Sequence, residues 1–207
     1  MIKNIIFDFD GVILDSVPIK TEGFKKLFKD FPLDKVNKLV EYHELNGGKS
    51  RYVKIKYFFH ELLNQDISEE KVLEYAQKYS EITKEELTDP KYIIKDAINF
   101  IKSNYKKYSM HIASGADEED LKYICEKQGI DKYFLSINGS PKVKIDIVKE
   151  ILKYNEYKLE ETVMIGDSVN DYEASTRNNI AFFGYNNQLL KKIYDIRYID
   201  DFEKFGG

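Results

Sequence analysis

The stretch Ile5-Ile6-Phe7-Asp8-Phe9-Asp10-Gly11-Val12-Ile13-Leu14-Asp15 decides how the rest of the chain is read. With Ile2, the residues Ile5, Ile6, Phe7 and Phe9 make the near-continuous apolar run of a strand buried on both faces, as in the centre of a parallel sheet. Successive strand side chains point to opposite faces, so Asp8 and Asp10 face the same way at the end of that strand. In open α/β sheets that end is where ligands bind. Two acids on an apolar strand are costly to bury without a partner. The pair therefore calls for a divalent cation, a lysine or both, unless the acids simply end the strand at a turn.

Outward from this strand the chain changes period twice. Ser16-Val17-Pro18 breaks the pattern, and residues 16–90 read as helical: Phe24, Leu27, Phe28 and Phe31 recur at helical spacing, as do Val36, Leu39, Val40 and His43, then Val53, Tyr57, Phe58 and Leu62, then Val72, Tyr75, Ala76 and Tyr79. Glu85-Glu86-Leu87-Thr88-Asp89-Pro90 reads as the return linker, since proline pushes the residue before it out of helix. From there strands and helices alternate: a helix at 96–104, a strand at 108–113, a helix at 117–128 capped by Asp117, a short strand at 134–137, a helix at 144–154, a strand at 162–166, a helix at 170–178, a strand at 180–184 and an edge strand at 197–199. Such alternation implies a doubly wound, Rossmann-like α/β core with a parallel sheet and right-handed crossovers. The expected division is a core of 1–15 and 91–207, with 16–90 as an inserted helical domain over the strand end.

Composition narrows the function classes. The chain has 207 residues, and 36 acids against 32 bases give a net charge of −4, so no basic field favours nucleic acid. No apolar run approaches the roughly 20 residues that span a bilayer, and Met1-Ile2-Lys3-Asn4 leads straight into the first strand, so neither membrane partner nor signal peptide is expected. The single cysteine, Cys125, sits on an apolar helical face and reads as core. With no internal disulfide possible, the expected compartment is the cytoplasm. The protein is expected to be a monomer or homodimer.

Three further stretches carry chemistry. Val163-Met164-Ile165-Gly166-Asp167-Ser168-Val169-Asn170-Asp171 is a second apolar strand ending in acid, with another acid on the first helical turn beyond it. Magnesium takes hard oxygen ligands, of which one or two are usually protein carboxylates. Asp8, the Asp10 carbonyl and Asp167 suit that role, with Asp171 ligating directly or through water. Met110-His111-Ile112-Ala113 ends in Ser114-Gly115, a hydroxyl and a closely approachable backbone N–H able to cradle a phosphate oxygen, or merely a turn pair. Gly139-Ser140-Pro141-Lys142-Val143-Lys144 opens a helix with lysine, where the helix dipole already places positive charge. A cation there makes sense if it faces the Asp8 carboxylate.

Together these stretches resemble the four motifs of the haloacid dehalogenase superfamily of phosphohydrolases, in the subgroup with a helical cap, and the resemblance spans essentially the whole chain. It implies that Asp8 is a nucleophile and Asp10 a general acid/base, that Ser114 and Gly115 bind phosphate, that Mg2+ is the cofactor, and that a small phosphomonoester is the substrate. The motif lysine stays open: the Gly-Ser-Pro-x-x-Lys form points to Lys144, and the count back from the fourth motif to Lys142. Gly47-Gly48-Lys49-Ser50-Arg51 resembles the substrate-specificity loop of such caps, which makes Gly48, Lys49, Ser50 and Arg51 candidate substrate contacts; a plain helix–helix turn with a solvated basic face is the competing reading. His43, His60 and His111 read as packing residues. The alternatives to a phosphatase are a phosphomutase of the β-phosphoglucomutase type, which carries histidine where this chain has Lys20, and a non-catalytic protein that binds phospho-ligands.

Overall fold

The computed structural model of the chain describes residues 1–193 and 196–205. Six parallel strands, β1 (Asn4–Phe7), β2 (Ser109–Asp117), β3 (Ser136–Ser140), β4 (Thr162–Gly166), β5 (Ala181–Tyr185) and β6 (Arg197–Ile199), form one sheet in the order β3-β2-β1-β4-β5-β6. The order reverses between β1 and β4, the switch point at which such sheets bind ligands. β1 is fully buried and is hydrogen-bonded on both sides, Phe7 lying level with Ile112 of β2 and with Ile165 of β4.

The period of two along β1 sorts its side chains between two cores. Ile5 and Phe7 join a cluster with Ile112 and Ile165, closed by Ala97 and Ile101 of α5 (Lys95–Asn104) and by Leu121 and Cys125 of α6 (Glu118–Lys127). Ile6 joins Ala113 and Met164 on the opposite face, under Ile147, Val148 and Ile151 of α7 (Lys144–Tyr154) and Ala174 of α8 (Val169–Arg177). Helices therefore cover both faces, which is what an all-parallel sheet requires.

Between β1 and α5 the chain makes α1 (Val17–Leu27), α2 (Leu33–Leu45), α3 (Arg51–Tyr57) with a π-helical turn at Phe58–Leu62, and α4 (Glu69–Thr83). Their apolar stripes meet in a third cluster of Phe24, Phe28, Leu39, Ile55, Phe58 and Tyr79, among others, separate from the two sheet cores. Aromatic stacking binds it: the rings of Phe28 and Phe58 are 4.1 Å apart and those of Phe24 and Tyr79 4.4 Å.

Three elements depart from the sequence reading. β2 runs on to Asp117, past the expected end at Ala113, with an irregularity between Ala113 and Asp117 in its pairing with β3. β3 begins at Ser136 instead of residue 134, because Asp131–Tyr133 forms a 3-10 turn first. A short helix, α9 (Gln188–Ile193), follows β5 where none is expected. No helix among the described residues is long and apolar enough to cross a membrane.

Candidate active site

The parallel register brings the acids together. The Asp8 backbone N–H donates to the Ile165 carbonyl at 2.8 Å, which sets Asp8 beside the Gly166-Asp167 end of β4. After Asp10 the chain turns back through Gly11, whose φ of +74° suits glycine, and a Cβ there would overlap the Asp167 carboxylate. Gly11 thus lets the first loop close onto the second. Two asparagines beyond β5 tie both loops: the Asn186 side-chain amide donates to the Gly11 carbonyl at 2.9 Å and that of Asn187 to the Asp167 carbonyl at 2.7 Å.

Asp8, Asp167 and Asp171 each offer an oxygen within 4.8 Å of the others. Lys144, the first residue of α7 and 5% exposed, reaches into this cluster; its ammonium lies 3.0 Å from Asp8 Oδ1 and 2.5 Å from Asp171 Oδ1. Lys142 stays outside, on the surface, 2.5 Å from Glu150. Asp171 has little capacity left, since its Oδ2 also accepts from the Ser168 N–H at 3.0 Å and hydroxyl at 2.6 Å. Ser168 and Asp171 thereby form a reciprocal capping box that starts α8.

One lysine does not balance three acids. Burial, and then the charge of Asp171, push the Asp8 carboxyl up to about 7, with Lys144 pulling the other way. Burial and the charges of Asp8 and Asp171 likewise raise Asp167 well above the carboxylate range. For Lys144, burial acts downward but the two aspartates override it and hold the ammonium above its usual range. A group of hard oxygens held this short of positive charge fits a divalent cation.

Asp10 is treated differently. Its Oδ2 lies 2.5 Å from the Lys20 ammonium of α1 and its Oδ1 accepts from the Ser16 hydroxyl at 2.6 Å. Burial acts upward on Asp10, but Lys20 and the Ser16 hydrogen bond together outweigh it and hold the carboxyl below its usual value. Two carboxylates two residues apart are thus set to opposite protonation tendencies by their surroundings. Ser114 is fully buried in β2, at the start of the irregular stretch between Ala113 and Asp117, its Oγ accepting from the Ala116 N–H at 3.1 Å.

A cavity of about 210 Å3 opens beside this cluster, lined by Asp10, Lys20, Asp167 and Gly115 from below and by His43, Gly47, Lys49, Arg51 and Lys54 from the helical insertion. Glycine permits the closure: a Cβ on Gly115 would overlap the Gly48 carbonyl, and one on Gly48 would press into Asn170 and Ser168. The loop residues divide. Lys49 turns to the Tyr42 ring, with its ammonium 3.1 Å from the Tyr42 hydroxyl. Ser50 caps α3 by accepting from the Val53 N–H at 3.4 Å. Arg51 lines the cavity, but its guanidinium is 2.7 Å from Asp120 Oδ2 of α6 and also bonds Ser80.

The family model of haloacid dehalogenase-like hydrolases matches residues 5–185. The chain belongs to this family. Among solved structures, it is similar to β-phosphoglucomutase from Clostridium difficile, with a TM-score of 0.79 at 20% identity over 99% of this chain and 93% of that one. It is similar also to CbbY from Rhodobacter sphaeroides in complex with xylulose-(1,5)bisphosphate, with a TM-score of 0.80 at 17% identity over 100% and 97%. A third is a predicted phosphoglycolate phosphatase from Haemophilus somnus, with a TM-score of 0.75 at 16% identity over 97% and 95%. No curated protein matches the sequence.

Within this haloacid dehalogenase-like hydrolase the structure gathers Asp8, Asp10, Lys144, Ser114, Gly115, Asp167 and Asp171 at one strand-end cluster and leaves Lys142 apart. Asn186 and Asn187 were not singled out from sequence, although a polar pair directly after an apolar strand was a signal in retrospect. From sequence His43 reads as a packing residue and Lys54 as one of the cations close behind the 47–51 loop; their contact had no local signal, because it depends on how α3 packs against α2.

Proposed function

We propose that the protein is a Mg2+-dependent phosphatase of small phosphomonoesters that works through a phosphorylated Asp8. The observation that carries this reading is the buried Asp8–Lys144–Asp171 chain, which holds one Asp8 oxygen and leaves the other uncommitted. Asp8 Oδ1 takes both the Phe9 N–H at 2.7 Å and the Lys144 ammonium, whereas Oδ2 has no hydrogen-bond donor among the described residues. Oδ2 is then the attacking atom, and the bond from phosphorus to the leaving oxygen breaks as the Asp8–phosphorus bond forms. Lys20 holds Asp10 ionised in the free protein, so the proton that Asp10 gives to that leaving oxygen is taken up as the negative charge of the phosphate enters the site; Asp10 then takes one from the water that hydrolyses the aspartyl-phosphate. Lys20 and Ser16 fix the orientation of the Asp10 carboxyl for both transfers.

Asp8 and Asp167 are the carboxylates that would hold magnesium, while Asp171 holds Lys144 in place. Bound there, the cation would neutralise charge on the phosphoryl oxygens, which is the main demand of phosphoryl transfer. Ser114, the Gly115 N–H and Lys144 supply the remaining contacts to those oxygens. Residues 16–90 act as the cap that excludes bulk water during the reaction. Lys20 stands where β-phosphoglucomutase-type enzymes carry histidine, which favours transfer to water over transfer to a sugar hydroxyl.

The test is phosphate release from a panel of small phosphomonoesters, with and without magnesium, for the wild type and Asp8→Asn. Magnesium-dependent release that falls about 10³-fold or more in the variant is expected. Phosphate migration within a sugar phosphate without release would make the protein a phosphomutase, and inertness toward the whole panel would sink the enzymatic reading.

A further inference from the structure

The cavity contains a positive charge with which no acid among the described residues pairs. Lys54, on α3, is 3% exposed, and its ammonium contacts only His43 Nδ1 at 2.8 Å and the Gly47 carbonyl at 3.5 Å. No carboxylate lies within ion-pair distance of it among the described residues. The other basic groups of the cavity are engaged elsewhere: Lys20 with Asp10, Arg51 with Asp120, and Lys49 against Tyr42. Glu44, the remaining acid at the rim, is exposed to solvent. Burying an ammonium without a counter-ion is costly, and here burial, followed by repulsion from Lys20, brings Lys54 down to about 7.

His43 adds a second unanswered group. It is 4% exposed, and burial together with the Lys54 charge lowers it to about 2, so it is neutral. A neutral imidazole whose Nδ1 accepts from an ammonium carries its hydrogen on Nε2. That Nε2 has no partner. Two buried donors, one of them charged, therefore line the wall of a small cavity that also opens on Asp10 and Asp167. Among the described residues no acceptor reaches His43 Nε2 and no carboxylate pairs with Lys54, and the chemical complement of the two is an oxyanion.

We infer that Lys54 and His43 form a second anion subsite, which receives a carboxylate or phosphate group of the substrate remote from the phosphate being transferred, so that the preferred substrate is a small molecule with two anionic groups. This rests on the phosphatase reading of the Asp8 cluster. It assigns the distal contact to the Lys54–His43 pair, and not to Arg51, whose charge is already neutralised by Asp120. Closing the cavity over such a ligand supplies Lys54 with its missing counter-ion, and specificity then comes from leaving that ammonium unpaired with any substrate lacking the second anion.

The test uses three two-carbon probes that differ only at the distal end: ethyl phosphate, 2-phosphoglycolate and ethylene glycol bisphosphate. Each is titrated by calorimetry into the Asp8→Asn protein with magnesium, and into Asp8→Asn combined with Lys54→Met. Binding at least tenfold tighter for one or both probes with a second anionic group than for ethyl phosphate is expected, and which of the two is tighter identifies carboxylate or phosphate. The Lys54→Met substitution should bring that ratio to within threefold of one; if it prevents folding, His43→Phe takes its place and should lower the ratio. Equal binding of all three probes, or a preference that survives these substitutions, overturns the inference. Phosphate release by the wild type from the same probes is scored separately: none from any probe defeats the phosphatase reading, and the binding ratio still decides the subsite.

Discussion

Lys144 and Lys142 are two residues apart, and the sequence allows either to serve Asp8. The helix start separates them. Lys144 is the first residue of α7 and points into the cluster, whereas Lys142 precedes the helix and pairs with Glu150 on the surface. Removing a charge that balances buried acids leaves them uncompensated, at about 3–5 kcal/mol, while an exposed pair contributes about 0–1 kcal/mol. Lys144→Met is therefore expected to lower kcat by about 10²-fold or more and to reduce stability in denaturant titration by about that larger amount. Lys142→Met should leave both within error, and a comparable loss from the two substitutions would refute the placement. The paired carboxylates were legible in the sequence because an acid ending an apolar strand is conspicuous. The Lys54–His43 contact was not, since the partners lie eleven positions apart on two successive helices and nothing local marks them.

At the scale of elements, strands and helices with an unbroken apolar pattern were read with their observed bounds, as for β4 at Thr162–Gly166 and α7 at Lys144–Tyr154. Where the pattern lapses into small or polar residues, as at Ser114-Gly115-Ala116 in β2 or Asn186-Asn187 before α9, tertiary pairing decided the structure and local propensity did not. The junction between insertion and core is of this second kind. Arg51 of α3 and Ser80 of α4 both bond Asp120 of α6, and the Tyr52 hydroxyl donates to Asp117 at 2.6 Å, so two helices of the insertion are seated on one helix of the core. Asp120→Ala would leave the buried Arg51 without its acid, a loss of about 3–5 kcal/mol that lowers Tm on the order of 10 °C. The double variant Arg51→Met with Asp120→Leu should recover most of that loss. Thermal unfolding of the two proteins checks the pair, and a Tm unchanged in Asp120→Ala would show that the seat bears no load.

For the whole molecule, the sheet holds Asp8, Asp167 and Asp171 together against their own repulsion, and a divalent cation bound there would relieve it. Ligands that bind only the folded state stabilise it by mass action, so magnesium at ten times its dissociation constant adds about 1.4 kcal/mol, or roughly 3–6 °C in Tm. Because burial and neighbouring acids raise both Asp8 and Asp167, the cation must displace protons from them, and the gain should therefore grow as pH rises through about 7, the value for Asp8. Differential scanning fluorimetry with and without chelator, from pH 6 to 8, measures this. Asp167→Asn should abolish the shift, and a shift of full size in that variant would place the metal elsewhere.

The central claim is that phosphate passes through Asp8, and it is tested most directly by acid-quenching the enzyme during turnover and locating the phosphoryl group by peptide mass spectrometry. A hydroxylamine-labile phosphoryl group on the peptide containing Asp8, absent from Asp8→Asn, is the predicted result. Sustained phosphate release with the Asp8 peptide unmodified, or the phosphoryl group on another residue, would contradict the account.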